Sequence, residues 1–502
     1  MIGTKKQTRQ PAVIKTTVRA STYLQATYRK SIGHRFTCFV LKQVEKLTGS
    51  RLDIEIPPVL AAISSNALAL TGPSSPARAL QKKRVITSIN RLSREFADEP
   101  QIFTFTATSC THPKQDGYGA DFTSETSALW KAVGESQERY LWYEHDFYSH
   151  QAIVSSFKLI KDKSINITKL AGFSDTLRNQ HRHLQFDENT LFTWIKIFSL
   201  TKENYAYCPV QLLSSRYVTN HVYNNLNDHS EPLLRPSITT GLASGTNKTD
   251  ATVAATLEVI ERDAFMITYL NQLSPESIDL THLAKQDDEI AEILFNFKKY
   301  NIAINLVRLV TDFSVTAIGG IAVDENTSGP TVVVAAKADF DIKKAILGTL
   351  AELASVRKLA RSLMAHNLDT SVNSQLDLHG RTAYWAMQKD ATLIDFMRQG
   401  NTVKISLPNK ANQQSTRYTD ANLHKLISDF KNKGLPLYRS DMTIGVDLDT
   451  GIETVCVIAP DLHPLHPFET EPCLFSDRLK QVPVSLGYRV TNTTNAIPHP
   501  FS

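Results

Sequence analysis

Between residues 101 and 502, short runs of β-branched and apolar residues alternate with long alanine-rich stretches whose apolar positions recur every three to four residues. Residues 102–108, 191–199, 302–309, 315–323 and 331–336 read as strands, since their Val, Ile, Thr and aromatic side chains suit a pleated, half-buried surface. Residues 341–363 follow as a long helix-periodic segment. Two more helices are expected behind glycine-rich segments, Gly117-Tyr118-Gly119-Ala120-Asp121 and Gly241-Leu242-Ala243-Ser244-Gly245, each read as a loop that feeds a helix. This alternation predicts a mixed α/β (α+β) fold, and the two similar glycine-plus-helix blocks predict a pseudo-duplicated core. Residues 37–97 read as two or three helices interrupted at Pro57-Pro58 and at Gly72-Pro73-Ser74-Ser75-Pro76. The expected organisation is a basic arm over 1–36, a helical extension over 37–100 and a main domain over 101–502.

Both of those helices carry the pentad Glu-x-x-Glu-Arg, as Glu135-Ser136-Gln137-Glu138-Arg139 and Glu258-Val259-Ile260-Glu261-Arg262. At average residue usage the pentad should arise by chance only about 0.1 times in a chain of this length, so two copies need a reason. Positions i, i+3 and i+4 share one helix face, so each copy projects two carboxylates and a guanidinium together. Four hard oxygen donors beside two planar guanidinium groups suit Mg²⁺ carrying a polyphosphate: the metal takes carboxylates and phosphate oxygens, and arginine bridges the phosphates. As a merely solvated face, each Glu–Arg pair would be worth only roughly 0.2–0.5 kcal/mol. Residues 341–363 add Glu352 and Arg357, the first a candidate ligand from a third helix.

The familiar nucleotide motifs are absent. Gly241 and Gly245 stand too close together for a Walker A loop, Lys248-Thr249 come too late for one, and no Gly-x-Gly-x-x-Gly follows a strand.

The strings Ala132-Val133-Gly134-Glu135-Ser136-Gln137-Glu138-Arg139-Tyr140 and Leu257-Glu258-Val259-Ile260-Glu261-Arg262-Asp263-Ala264, with residues 241–245 upstream, resemble the YcaO superfamily. So do Val446-Asp447, Val455-Cys456-Val457-Ile458-Ala459-Pro460 and Leu465. The ending Asn495-Ala496-Ile497-Pro498-His499-Pro500-Phe501-Ser502 is similar to the proline-rich tail of the branch that makes azolines in ribosomal peptides. The resemblance spans roughly residues 100–502 and implies a YcaO-like fold with an ATP site lacking a P-loop. It implies Mg²⁺ held by Glu135, Glu138, Glu258, Glu261 and Glu352, and ATP contacted by Lys131, Glu135, Arg139, Glu258, Arg262, Glu352 and Arg357. It also implies a catalytic tail in which Pro498 and Pro500 deliver the carboxylate of Ser502 as a base. Lys131 stands where some members carry a phosphate-contacting serine, and Gly348 and Ser355 where many have arginine and glutamine.

The implied activity is ATP-dependent cyclodehydration of Cys, Ser or Thr residues in a ribosomal precursor peptide. The alternatives are thioamide formation and a non-catalytic ATP-binding or scaffold subunit, which the departures at Gly348 and Ser355 favour. Residues 1–100 contain no recognisable leader-binding module, so a separate ThiF-like partner is expected to deliver the peptide, and a homodimer is allowed.

Composition sets the remaining bounds. With 42% hydrophobic and 21% charged residues and no apolar run of membrane-spanning length, the chain reads as globular and cytoplasmic, with no membrane partner. Its net charge of +5 is modest and does not call for nucleic acid. The positive charge crowds the start: Lys5, Lys6, Arg9, Lys15, Arg19, Arg29 and Lys30 precede the first acid, Glu45. This reads as a solvated arm, with a transit peptide or a segment that touches an acidic surface as the alternatives. The five cysteines are scattered, with no Cys-x-x-Cys, and suggest neither a disulfide framework nor a zinc site. His463 and His466 have no third histidine or cysteine at ligand spacing, so the sequence indicates no metal there.

Overall fold

A computed structural model describes residues 76–92, 96–109, 116–145, 147, 152–224, 231–325, 329–365, 376–408, 417–443 and 450–501. The chain divides into two units, 1–63 and 64–502, and every described residue belongs to the second. The basic arm and most of the helical extension therefore lie outside the described residues, as does Ser502.

Three antiparallel strands, Ile86–Arg91, Phe103–Ser109 and Gly117–Asp121, form a small sheet in that order. The helix Glu125–Glu144 packs across it, its first turn closed by Ser124, whose hydroxyl accepts from the Ser127 amide. A six-stranded group carries Ile153–Ser156, Leu191–Ser199, Tyr438–Asp441, Glu453–Ile458 and Leu242–Gly245 in sequence across the sheet, with Asn204–Pro209 also paired to Leu191–Ser199. A third sheet runs Val332–Asp339, Thr316–Asp324, Ile302–Arg308, Ser277–Ile278 and Thr402–Val403, antiparallel except at the last pair. The helix Lys248–Leu270 packs against strands of both larger sheets, and Ile342–Met364 packs on the third.

Burial explains the composition of the second of these helices. Ala264, Phe265, Met266, Ile267 and Tyr269 are all fully buried, so this end of the helix is apolar on every side, as a helix in the interior of a domain must be. Its threonines do not leave orphan hydroxyls, because Thr252, Thr256 and Thr268 each donate to the carbonyl four residues back.

The strands expected from the β-branched runs are present, and so is the helix after residue 341. Two expectations are corrected. Ile86–Arg91, within the stretch read as helical, is a strand: Ile86 and Ile89 turn inward and its backbone pairs with Phe103–Ser109. The glycine segments are strands as well, not loops. Gly117 and Gly119 are needed for contact rather than for a turn. A Cβ on Gly117 would lie 2.2 Å from the Ala132 carbonyl oxygen, and one on Gly119 would lie 1.9 Å from that of Ala128. The strand thus rests directly on the backbone of the first acidic helix. Among the described residues no helix is long and apolar enough to cross a membrane, and Cys208, Cys456 and Cys473 are buried free thiols.

Candidate active site

Each of the four pentad glutamates is held by a backbone N–H from a neighbouring segment. Glu135 accepts from the Tyr118 amide at 2.5 Å and Glu258 from the Gly241 amide at 2.9 Å; in both blocks the donor lies 17 residues before the acid. The second acid of each pentad reaches to another block. Glu138 accepts from the Ser244 amide at 2.6 Å, and Glu261 from the Ala338 amide at 2.9 Å. Strand amides therefore offer an anion site, as glycine segments beside helices do, and the protein's own carboxylates occupy it.

The arginines match as well. Arg139 pairs with Glu135 at 2.5 Å, and Arg262 with Glu258 at 2.6 Å while its other nitrogen reaches the Thr240 hydroxyl. Lys131, half-exposed, spans the Ala120 carbonyl and the Asp121 carboxylate, both at 3.0 Å.

Electrostatics tie the helices into one cluster. Burial, with Glu135 and Glu258 close by, pushes the Glu138 carboxyl up to about 8. Burial and the neighbouring Glu261 push Glu352 up to about 7, and burial raises Glu261 too. The field of one glutamate on the next thus links all five expected from the sequence: Glu135 and Glu258 act on Glu138, and Glu261 and Glu258 on Glu352. They outnumber the three cations beside them, and such crowding of half-buried carboxylates is what a bound divalent cation would relieve. The donor set is all oxygen, which fits Mg²⁺.

Lys337 was not anticipated. It follows the apolar run 331–336, where a lone lysine reads as a strand end, yet its ammonium lies 3.7 Å from Glu261 and within the field of Glu352 and Glu258, with Glu261 the leading cause of its raised basicity. Gly348 is what admits it. A Cβ at that position would come within 2.8 Å of Lys337 Cγ, so the lysine stem fills the space where a side chain on the third helix would stand.

Two further sets of expected site residues lie in the packed interior. Arg357 is fully buried away from the cluster, bound by two bonds of 2.9 Å to Glu99 and by one of 2.7 Å to Asp324. Five residues separate it from Glu352, which places it about 140° around the helix, so it serves the fold and not a nucleotide. The tail is built into the core. The Pro498 carbonyl accepts from the Tyr269 hydroxyl at 3.0 Å and from the Trp385 indole at 2.7 Å. Pro500 is buried, and Phe501 packs on Phe265 while bridging in parallel to Val334. That strand continues to Lys337 and Ala338.

The sequence profile of the YcaO family, described as a cyclodehydratase that binds ATP and Mg²⁺, matches residues 117–463. No curated protein matches the chain significantly. Among solved structures the chain is similar to a heterocyclase in complex with substrate and cofactor (19% identity, TM-score 0.65), covering 85% of this chain and 57% of the heterocyclase. It is also similar to the heterocyclase TruD (17% identity, TM-score 0.55), over 93% of this chain and 70% of TruD. A third likeness is to YcaO from Methanopyrus kandleri bound with AMPPCP and Mg²⁺ (16% identity, TM-score 0.53), over 80% of this chain and 92% of that one. At such identities these likenesses establish the fold, and the chain spans little more than half the length of the first. Taken with the profile match over more than half of its residues, they lead to one conclusion: the chain belongs to the YcaO family.

Proposed function

We propose that this protein is an ATP- and Mg²⁺-dependent enzyme that converts Cys, Ser or Thr residues of a ribosomally made peptide to azolines, the peptide being delivered by a separate partner. The observation that carries this reading is the convergence of Glu135, Glu138, Glu258, Glu261 and Glu352, drawn from three helices, into one cluster with too few cations of its own.

Bound ATP and Mg²⁺ would supply the phosphoryl group that makes the amide oxygen a leaving group, and the charge that steadies it. The five glutamates would hold the metal, and Arg139, Arg262 and Lys337 the phosphates. Arg262 is oriented before any ligand arrives, by Glu258 on one side and Thr240 on the other, so its planar fork needs little reordering to meet an anion. Lys337 brings a cation from a strand to the side of the site where the third helix, at Gly348, has no side chain to give. The tail, docked along the second acidic helix and the strand that bears Lys337, supports a role for the chain end beside the reacting amide.

The test is incubation with ATP, Mg²⁺ and a Cys/Ser/Thr-rich peptide with its delivery partner, followed by mass spectrometry. Loss of one water mass per ring, with matching ADP release, is the expected result. An exchange of oxygen for sulfur would make the enzyme a thioamide former. Tight ATP binding with no change in any peptide would leave a scaffold subunit, and either outcome overturns the proposal.

A further inference from the structure

A second polar cluster lies apart from the five glutamates, where the tail meets the loop over 462–469. His466 and His499 face each other with ring centres 4.6 Å apart, and one donor atom each from His466, Glu469 and His499 lie within 4.8 Å of one another. The two histidines are 2% and 1% exposed, so their ring nitrogens have no access to bulk water. His499 Nε2 meets the His466 carbonyl at 3.1 Å, which leaves its Nδ1 buried without a hydrogen-bond partner. His466 Nε2 faces Glu469 Oε2 at 3.5 Å, longer than a good hydrogen bond, and Glu469 Oε1 is paired with Arg381 at the same distance.

For His499 this is the division of labour that metal-binding imidazoles show: one N–H donated to a carbonyl, which fixes the tautomer and ring, and the opposite lone pair left for the ion. Leaving a buried polar atom unpaired is otherwise costly, about 1–3 kcal/mol.

We propose that His466, Glu469 and His499 form a zinc site that fastens the C-terminal segment to the 462–469 loop, the ion taking one donor atom from each. Two imidazoles and a carboxylate are a zinc donor set, and a poor one for Mg²⁺, which prefers oxygen throughout. Zinc–nitrogen bonds of about 2.0 Å would bring the donors to roughly 3.3 Å apart, so closure around the ion takes a shift of about 1 Å. Arg381 lies in the outer shell, 3.5 Å from Glu469 Oε1 and bonded to the Pro467 carbonyl at 2.9 Å, where it orients the carboxylate. The sequence hides this site because its last ligand lies 33 residues beyond His466.

The test is zinc content of the full chain, stripped with a chelator, reloaded with Zn²⁺ and desalted, together with the visible absorption of the Co²⁺-loaded form. About one zinc per chain is expected in the wild type and in Glu138→Gln, which alters only the glutamate cluster. His466→Gln and His499→Gln should retain less than about a tenth of that, and hydrogen exchange over residues 495–501 should quicken when the wild type is stripped. Should the histidine variants fail to fold, Glu469→Gln and the Co²⁺ spectrum of the wild type decide, tetrahedral nitrogen ligation being expected. A wild type that retains no zinc and gives no tetrahedral Co²⁺ spectrum overturns the proposal, as does undiminished zinc in the variants.

Discussion

Two groups of buried charge sit at opposite sides of the third helix, Ile342–Met364, and they are built on opposite rules. Around Arg357, each acid meets a cation: Glu99 and Asp324 grip the guanidinium directly, while Arg361 joins Glu99 at 3.3 Å and Asp98 at 2.7 Å. Around Glu352, acids meet amides and one another. Glu138 has a backbone N–H from Ser244 and two neighbouring carboxylates in its field, and five glutamates share Arg139, Arg262 and Lys337. The first group is finished and works by being left alone. The second has more carboxylates than cations, so Glu138 and Glu352 hold their protons toward neutral pH unless a cation from outside replaces them, and this is how a candidate binding site differs from a structural ion network of similar composition.

Breaking the finished group should have the largest effect. Arg357→Ala strips the guanidinium from two buried carboxylates and should cost about 3–5 kcal/mol of folding stability in urea titration. If instead it left stability intact and weakened ATP binding, Arg357 would belong to the nucleotide site.

The complementary change is Glu258→Gln, which keeps helix propensity while removing a proposed metal ligand. ATP affinity in Mg²⁺ should fall about 100-fold, roughly 2.7 kcal/mol by calorimetry, with the melting temperature nearly unchanged. Wild-type affinity in this variant would reduce the pentads to a structural network of buried acids.

A third test concerns pH. Glu138 and Glu352 have folded-state pKa values raised from the ordinary 4.5 to about 8 and about 7, so their contribution to stability is fully present below pH 4.5 and is lost as pH rises through those values. Metal-free protein should therefore lose stability between pH 5 and pH 8, and Mg²⁺ should flatten the profile because it binds the ionised form. A metal-free profile that rises over this window would mean the cluster is already compensated.

The acidic cluster was legible because its signal is local. A spacing of i, i+3 and i+4 puts Glu135, Glu138 and Arg139 on one face whatever the rest of the chain does. The glycine segments misled for an equally physical reason, since Gly117 and Gly119 are required by the approach of a helix from elsewhere and not by any turn at that point in the chain. Arg357 stands five residues from Glu352, and that rotation turns it to Glu99 and Asp324, neither of which lies near it in sequence. Lys337 and the partnership of His466 with His499 carry no local signature, because each depends on which strand or chain end the fold lays beside the other.

The seating of the tail also bears on how the protein is made. Phe501 closes a core formed by Phe265, Tyr269 and Trp385, all of which leave the ribosome earlier. A nascent chain can form its acidic helices and sheets while residues 495–501 are still in the exit tunnel, but it then exposes an apolar groove along the second helix, a target for chaperones and for aggregation. Closure of that groove therefore depends on residues far downstream of the helix they cover, and not on the residues that bear the charge.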